Sequence, residues 1–409
     1  MSTLLVDFML AFRNCMRHRR RTAVAVVAVA FGIAASIVAN GFVEWMLLTF
    51  REEAIQSRLG HLQVTRPGYH TRGMADPYSF LLPGREPEAA ALDHSGRVKV
   101  IAPRLSFNGL VSHGETTLSF IGEGVSPVAE AVFEEGTQLV EGRELSQDEP
   151  HAVIVGVGLA RNLGVTIGDR LVVLANTTSG GTNAVEVTVN GVFSTISKAY
   201  DDVALRLPIE TAHELLRTNG VHAWVVMLNE TRETGSVVAA LRAQLPESQF
   251  DVVPWYELAD LYNKTAQLFR RQVDGIRLIL AVIILLGILN TITMSVIERT
   301  GEIGTAMALG VRRRGILRLF IAEGLVIGCI GGLFGVCGGL ALARAISALG
   351  IPMPPPPGVS HGYTSQVLVT WRIVGEALAL GILSAALGSI YPAWKASRKN
   401  VVDALRHNS

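Results

Sequence analysis

Residues 298–314 read ERTGEIGTAMALGVRRR and lie between two apolar runs, 276–297 before them and 316–344 after them. Each run has at least the ~20 residues that a helix needs to cross the hydrocarbon core of a bilayer. The stretch between the runs is short and rich in arginine. We therefore predict two membrane helices joined by a loop (298–315) on one side of the membrane.

Two further apolar runs bring the number of predicted spans to four. The first covers 22–48, with Glu44 as its charged residue, and the last covers 372–394. The apolar core of a signal peptide is only about 7–15 residues long, so the run 22–48 is predicted to be an uncleaved anchor. Between the third and fourth spans, segment 345–371 has no Asp, Glu, Lys or Arg, and its prolines 354–357 cannot continue a helix. We predict an outer loop there.

The basic residues predict the orientation. They concentrate in 1–21, in the loop 298–315 and in the tail 395–409, and four spans put these three segments on the same face. Basic short loops mark the cytoplasmic side, so both termini are predicted to be cytoplasmic, with the protein in the inner (plasma) membrane. Within 1–21, apolar residues recur at helical spacing. This indicates an amphipathic helix in the membrane interface, with a frayed basic tail as the alternative.

Segment 49–275 is predicted to be a mixed α/β domain on the extracytoplasmic, or periplasmic, side. Residues 184–189 alternate with period two, as a half-buried strand does, and 177–183 indicate a hairpin tip. Strands on both sides of a central block predict two subdomains. The predicted strands are His61–Thr65, Thr116–Ile121, Ala152–Val155, Arg170–Leu174, Ala184–Val192 and Trp224–Leu228, and the predicted helices are Pro208–Arg217 and Thr231–Gln244. The fold class is thus an α-helical membrane protein with four transmembrane helices and a large mixed α/β extracytoplasmic domain.

Several functional classes lack the residues that they need. Charged residues are 17% of the chain, against about 25% in soluble domains. No Gly-Lys-Ser/Thr motif can cradle a nucleotide phosphate, since none of the lysines follows a glycine. No His/Cys pattern has zinc spacing, and the three cysteines lie outside the polar region. We predict no catalytic residue, no metal, no cofactor in this chain and no nucleic-acid partner.

The third span carries two glycine ridges at spacings of four. Such ridges let another helix approach closely. They fit either a seam with a second chain or packing against spans of the same chain. The ridge residues are Gly324, Gly328 and Gly332, and Gly331, Gly335 and Gly339.

The loop after the second span is the most distinctive feature. Ile303 and Met307 fall on one face of a short predicted helix, with Arg299 and Glu302 beside them. An amphipathic helix of this kind can fit a groove on another protein. The alternative is a solvated basic loop that only sets the topology, against which the apolar content of the loop argues.

Two acids lie in or near the spans. Glu323 lies about one turn beyond Arg318 and is a candidate to pair with it, whereas Glu376 is close to the outer interface. Charged residues inside a membrane cost a few kcal/mol and usually have a partner. A role in proton transfer is the less favoured interpretation of both acids.

The loop motif, with Arg312–Arg314 and Glu323–Gly324, resembles the permease module shared by macrolide exporters, lipoprotein-releasing (LolC/LolE-like) permeases and cell-division FtsX proteins. The ending YPAWKASR (391–398) with DALR (403–406) is similar to the carboxyl end of that module. The order of parts also agrees. In the outer region, residues 156–170 and 191–195 are similar to lipoprotein-releasing permeases. The tip 176–183 is shorter than theirs and lacks proline, so the resemblance gives less support for docking of their periplasmic chaperone than for the other partners.

The resemblance implies a mechanotransmission ABC permease that is not itself an enzyme. A separate ATPase, present in two copies, would bind ATP and Mg²⁺, and a second permease would form a homodimer or heterodimer with this chain. Candidate partners outside are a lipoprotein, a chaperone or an adaptor. The residues implied to contact the ATPase are Arg299, Glu302, Ile303, Gly304, Met307, Leu309, Gly310 and Arg312.

Three functions stay open at this point. The first is extraction or export of lipoproteins or other amphiphiles, driven by the ATPase. The second is an FtsX-like signalling permease that activates a cell-envelope enzyme. The third is a membrane receptor with no ATPase.

Overall fold

The computed structural model describes residues 3–17, 19–73, 76–83, 96–195, 197–353 and 362–398. The chain divides into two compact units. The helical unit comprises Met1–Leu47, Ala266–Ile351 and Thr364–Ser409. The α/β unit comprises Leu48–Thr265 and Pro352–Tyr363. Prolines 354–357 of the predicted outer loop lie outside the described residues, and so does the predicted tail from 399 onward.

Four helices in the described part of the chain are long and apolar enough to cross a membrane. They are α2, α6, α8 and α9 in the following series. The helices are α1 (Thr3–Arg17), α2 (Arg19–Ala54, continued by a π-helical turn at Ile55–Leu59), α3 (Val157–Leu163), α4 (Ile209–Leu216), α5 (Thr234–Gln244), α6 (Asp260–Glu298), α7 (Thr300–Ala308), α8 (Arg313–Leu349) and α9 (Trp371–Ser397).

The core of the helical unit is built from apolar stripes. On α6, Ile284, Ile288 and Ile292 recur every four residues and are all buried. They pack in one cluster with residues of α2, including Ile33, and of α8, including Phe320. The opposite face of α6 is exposed and apolar, as at Leu278 and Leu286. A soluble helix would carry polar residues there, so this face suits lipid.

The helices are longer than the apolar runs that predict them. Helix α6 begins at Asp260, 16 residues before the predicted start at 276, and α8 extends to Leu349. Helix α9 also passes through Pro392, although proline usually interrupts a helix. Ala393 and Ala396 beyond it are fully buried in the bundle, and this packing offsets the hydrogen bond that proline cannot make. The arginines 19–21 likewise lie within α2.

The strands of the α/β unit include all six that the sequence predicts. The strands are β1 (Leu62–Thr65), β2 (Leu82–Pro83), β3 (Val98–His113), β4 (Thr116–Val125), β5 (Gln138–Gly142), β6 (Ala152–Gly156), β7 (Arg170–Asn176), β8 (Thr182–Ser194), β9 (Ala204–Pro208), β10 (Gly220–Val221), β11 (Ala223–Leu228), β12 (Asp251–Pro254), β13 (Pro352–Met353) and β14 (Tyr363–Thr364). The hairpin tip at 177–181 joins β7 to β8, as predicted.

Six of these strands pair in a closed ring, in the order β3-β4-β9-β6-β8-β7 and back to β3. Gly109 of β3 permits the closure, because a β-carbon there would lie 1.9 Å from the carbonyl oxygen of Leu174 on β7. Side chains such as Phe107, Val173 and Val187 fill the interior.

The other half of the sheet has the order β12-β1-β11-β3 and is antiparallel. Both of its faces are covered. Trp224 and Val226 of β11 pack with α5, while Val225 and Met227 pack with the turn at Ile55 and with Trp255. Because no face is left to water, β11 is apolar throughout rather than alternating.

Candidate functional site

The predicted loop helix is present as α7, Thr300–Ala308. It follows α6 directly and ends before Gly310, whose φ of +97° is a left-handed conformation that favours glycine. Helix α8 then begins at Arg313. The segment is therefore a compact helical hairpin rather than an extended loop.

One face of α7 packs against the helical bundle. Thr300, Ile303 and Gly304 are buried, and Met307 lies against the same apolar cluster. The expectation that Ile303 and Met307 present a face to a partner is therefore corrected. These side chains are apolar because they attach α7 to its own chain.

The accessible face lies at the end of the hairpin. Leu309 is 83% exposed and Val311 is 43% exposed. Arg312, Arg313 and Arg314 follow and are exposed as well. This small patch, 309–314, combines apolar side chains with three cations. Together with the exposed Glu302, it is a part of the hairpin that a second protein can reach.

A buried ion pair lies behind the patch. Arg299 Nη1 is 2.7 Å from Glu323 Oε1, and the two side chains are 14% and 4% exposed. Asn14 of α1 donates to the same carboxylate at 2.8 Å. The guanidinium of Arg299 also contacts the ring of Phe320. The pair thus ties α1, α7 and α8 together at one point.

The outer edge of this cluster is exposed. Glu302 accepts from Arg299 at 3.1 Å and pairs with Arg17 of α1 at 3.2 Å. Hydrogen bonding from Arg299 is the largest cause that lowers the pKa of Glu302 below its usual value. Arg299 and Glu302 therefore orient α7, and an ion pair as exposed as Arg17–Glu302 adds little stability by itself.

Both glycine ridges face helices of the same chain. A β-carbon on Gly324 would lie 2.7 Å from Ser389, and one on Gly328 would lie 3.0 Å from Ala385, both in α9. A β-carbon on Gly332 would also contact α9, at Leu378. For this ridge, the structure shows packing within the chain rather than a seam with a second chain.

The second ridge faces α2. A β-carbon on Gly335 would lie 2.8 Å from Ile33 and from the carbonyl oxygen of Ala30. The corresponding contacts of Gly331 and Gly339 are with Val29 and Ile37. These glycines let α8 approach α2 closely, so they are covered and do not offer a seam to a second chain.

The second acid, Glu376, belongs to an ion-pair network on α9. It pairs with Arg277 of α6, and Arg372 Nε donates to it at 2.9 Å. Arg277 also donates to Asn40 of α2 at 2.5 Å. Polar residues of three helices therefore line a cavity of about 360 Å³ here. Glu376 is a link between helices rather than a simply hydrated side chain.

A buried charge network in the α/β unit escapes sequence reasoning. It consists of Arg58, Arg104, Glu123, Glu130 and Arg206, which come from five separate places in the chain. Burial alone would raise the pKa of Glu123, but the three arginines outweigh it and lower the pKa to about 2. The network therefore holds an ionised carboxylate inside the domain.

Two of these arginines hold the end of the first long helix. Arg206 donates to the carbonyl of Ser57 at 2.9 Å, and Arg104 donates to that of Arg58 at 2.9 Å. The last carbonyls of a helix lack partners and carry partial negative charge, so guanidinium groups suit them. The π-helical turn 55–59 is thereby fixed to the interior of the α/β unit.

Comparisons with known proteins agree with this architecture. The family model described as MacB-like periplasmic core domain matches residues 22–244, more than half of the chain. The model described as FtsX-like permease C-terminal matches residues 276–401. The chain belongs to the MacB-like and FtsX-like ABC transporter permeases.

Two individual relatives align with more than two thirds of this permease. An uncharacterised ABC transporter permease of Methanocaldococcus jannaschii is 25% identical over 69% of this chain and 68% of its own length. The lipoprotein-releasing system transmembrane protein LolC of Xylella fastidiosa is 26% identical over 76% of this chain and 78% of its own.

The macrolide export ATP-binding/permease protein MacB of Chromobacterium violaceum is 25% identical over 97% of this chain. The permease spans 60% of the length of that relative. Among solved structures, the periplasmic region of MacB from Actinobacillus actinomycetemcomitans is similar, with 14% identity and a TM-score of 0.36. That similarity covers 51% of this chain and 95% of the other. The two family models and the four long apolar helices show a membrane protein with a large extracytoplasmic α/β domain.

Proposed function

We propose that a separate ATPase subunit binds this permease at the patch 309–314. The observation that carries the proposal is the contrast between the two faces of the hairpin. Ile303 is packed into the bundle, whereas Leu309 projects outward with 83% of its surface exposed. Leu309 and Val311 are exposed apolar residues beside three arginines, and a partner that covered them would gain the free energy of removing apolar surface from water.

The hairpin is also suited to transmit force. The Arg299–Glu323 pair and the buried face of α7 join the hairpin to α8, and Asn14 extends the connection to α1. Breaking a buried ion pair costs about 3–5 kcal/mol. A displacement of the patch would therefore move α8 rather than bend the hairpin. ATP and Mg²⁺ would be bound by the ATPase, in two copies, with a second permease completing the assembly.

The work is done on the outer side of the membrane. Nucleotide-driven closure of the ATPase would favour one of two states of the permease, as differential binding requires. In this scheme the basic ends and both termini face the cytoplasm, and the α/β unit handles lipoproteins or other amphiphiles. Exposed apolar residues on α1, such as Phe8, Phe12 and Met16, would hold that helix in the membrane interface.

The test is purification in mild detergent with mass spectrometry of the bound proteins and lipids. Wild type is compared with Leu309→Asp and with a control, Val128→Asp, which changes another exposed apolar residue (64%), in the α/β unit. We expect an ATPase to copurify with wild type and with the control but not with Leu309→Asp. Equal recovery with all three proteins would refute the assigned patch. A copurifying hydrolase without lipid would instead favour the signalling function.

A further inference from the structure

A second cavity, of about 230 Å³, lies inside the α/β unit. Three segments form its walls: the end of α2 with the π-helical turn, the loop before and within the turn Lys198–Asp201, and the segment that begins α6. The lining residues are Phe50, Ala54, Ser57, Arg58, Leu59, Thr195, Ser197, Tyr200, Leu258, Ala259, Asp260, Leu261, Tyr262 and Thr265.

Most of this wall is apolar or aromatic. Phe50 is buried. Leu261 also lines the cavity, and 49% of its surface is exposed. Ligand pockets are typically apolar with a few polar groups that fix orientation. The cavity is slightly smaller than the ~300–1,000 Å³ of pockets for drug-sized ligands. It suits one hydrocarbon chain better than two.

The wall between the strands and the cavity is held rigidly. Asp201 is fully buried and accepts hydrogen bonds from the amide and hydroxyl of Thr195, at 3.0 and 2.7 Å, and from the hydroxyl of Ser194. Its oxygens are thus satisfied within the loop. A preformed wall of this kind lowers the ordering cost of binding.

Arg58 is the charged group that the cavity offers. Its Nε donates to Glu123 at 2.9 Å, its guanidinium lies over the ring of Tyr200, and 48% of its side chain stays exposed. A guanidinium has five N–H donors, so capacity remains for a further acceptor. The other charged lining residue, Asp260, is 74% exposed and pairs with Lys264 at 2.6 Å.

We propose that this cavity binds a single-chain amphiphile with an anionic headgroup, whose head contacts Arg58 and whose chain packs on Phe50, Leu261 and Tyr262. The proposal rests on the proposed function, since it names the substrate class and places its contact on the outer unit. Because the π-helical turn at Arg58 continues α2, the occupant touches a helix that runs on into the helical unit.

The experiment uses the full permease in mild detergent, without nucleotide, and a long-chain fatty acid that carries a photoreactive diazirine. After illumination, mass spectrometry maps the labelled peptides. We expect labels in 50–59, 195–200 and 258–265, and much weaker labelling by the matching fatty alcohol, which has no charge. A hydrogen bond to a charged group usually changes affinity by a factor of about ten or more, so Arg58→Gln should weaken labelling at least that much.

Two further variants make the result decisive. Leu261→Trp fills the cavity and leaves the Arg58–Glu123 pair intact, so it should also abolish labelling, whereas Arg97→Gln, an exposed arginine elsewhere in the unit, should not. Labelling that is unchanged by Arg58→Gln and Leu261→Trp, or equal for acid and alcohol, would overturn the proposal. Leu309→Asp should keep its label while losing the ATPase, which separates failure at this cavity from failure of the proposed function.

Discussion

A pair of glycine substitutions on α8 tests how the helical unit is packed. Gly335 and Gly338 lie one turn apart on the same helix. A β-carbon on Gly335 would lie 2.8 Å from Ile33 and from the carbonyl oxygen of Ala30, whereas one on Gly338 would have nothing within 4 Å. Substitution of both glycines by alanine, one at a time, therefore changes the packing at one site and leaves it unchanged at the other.

The magnitude follows from two opposing effects. Alanine in a helix gains about 0.5–1 kcal/mol over glycine at either position. At Gly335 the new methyl group overpacks the contact with α2, and such overpacking costs typically about 1–3 kcal/mol. Because the helix-propensity gain is common to both variants, the difference between them isolates packing. We expect Gly335→Ala to be about 1–3 kcal/mol less stable than Gly338→Ala.

The assay is reversible unfolding of the purified protein in mixed micelles, followed by circular dichroism. Equal stability of Gly335→Ala and Gly338→Ala would refute the packing described here. If Gly335→Ala instead lowered only the fraction of dimer, the ridge would be a seam between chains.

Two further outcomes are expected. Glu323→Gln should lower the free energy of unfolding by about 3–5 kcal/mol, because it removes the buried counter-charge of Arg299 and leaves only the exposed Glu302. The charge-swapped double variant, Arg299→Glu with Glu323→Arg, should recover part of this loss, and a Glu323→Gln protein as stable as wild type would contradict the prediction. In the α/β unit, burial lowers the pKa of His222 from 6.5 to about 4, against the opposing hydrogen bond to the carbonyl of Pro77. As the pH falls, His222 is therefore protonated in the unfolded chain before it is protonated in the folded protein. His222 contributes stability above pH 6.5 that is lost as the pH falls toward 4. The loss should be about 3 kcal/mol, measured as the difference in denaturant midpoint between wild type and His222→Gln across that range, and parallel pH profiles would rule it out.

Apolar runs are enough to locate the four spans, because a membrane demands long uncharged helices. They are not enough to locate the helix ends. Helix α6 starts at Asp260 with polar residues, and α9 passes through Pro392, since tertiary packing decides both positions. Hydropathy identifies the segment of a helix that contacts lipid. It does not identify where the helix continues into another unit.

The orientation of α7 shows a second limit of prediction from sequence. Ile303, Met307 and Leu309 are all apolar, so spacing alone cannot say which of them contact the bundle and which project outward. The network around Glu123 is harder still, because β pairing assembles it from distant positions. His222 shows the same limit, because the spacing of residues around it does not indicate that it is buried.

Buried ion pairs in this permease lie where apolar packing leaves the register of the helices undefined. Leucine and isoleucine stripes hold two helices together but tolerate small slides, since one apolar contact replaces another at little cost. A carboxylate inside the bundle tolerates no such slide, because a displaced Glu323 would leave two charges unpaired. The Arg104 and Arg206 contacts with the last carbonyls of the π-helical turn impose the same restriction in the α/β unit. The proposed function requires joints that resist sliding more than it requires extra stability, and the buried charges would supply such joints.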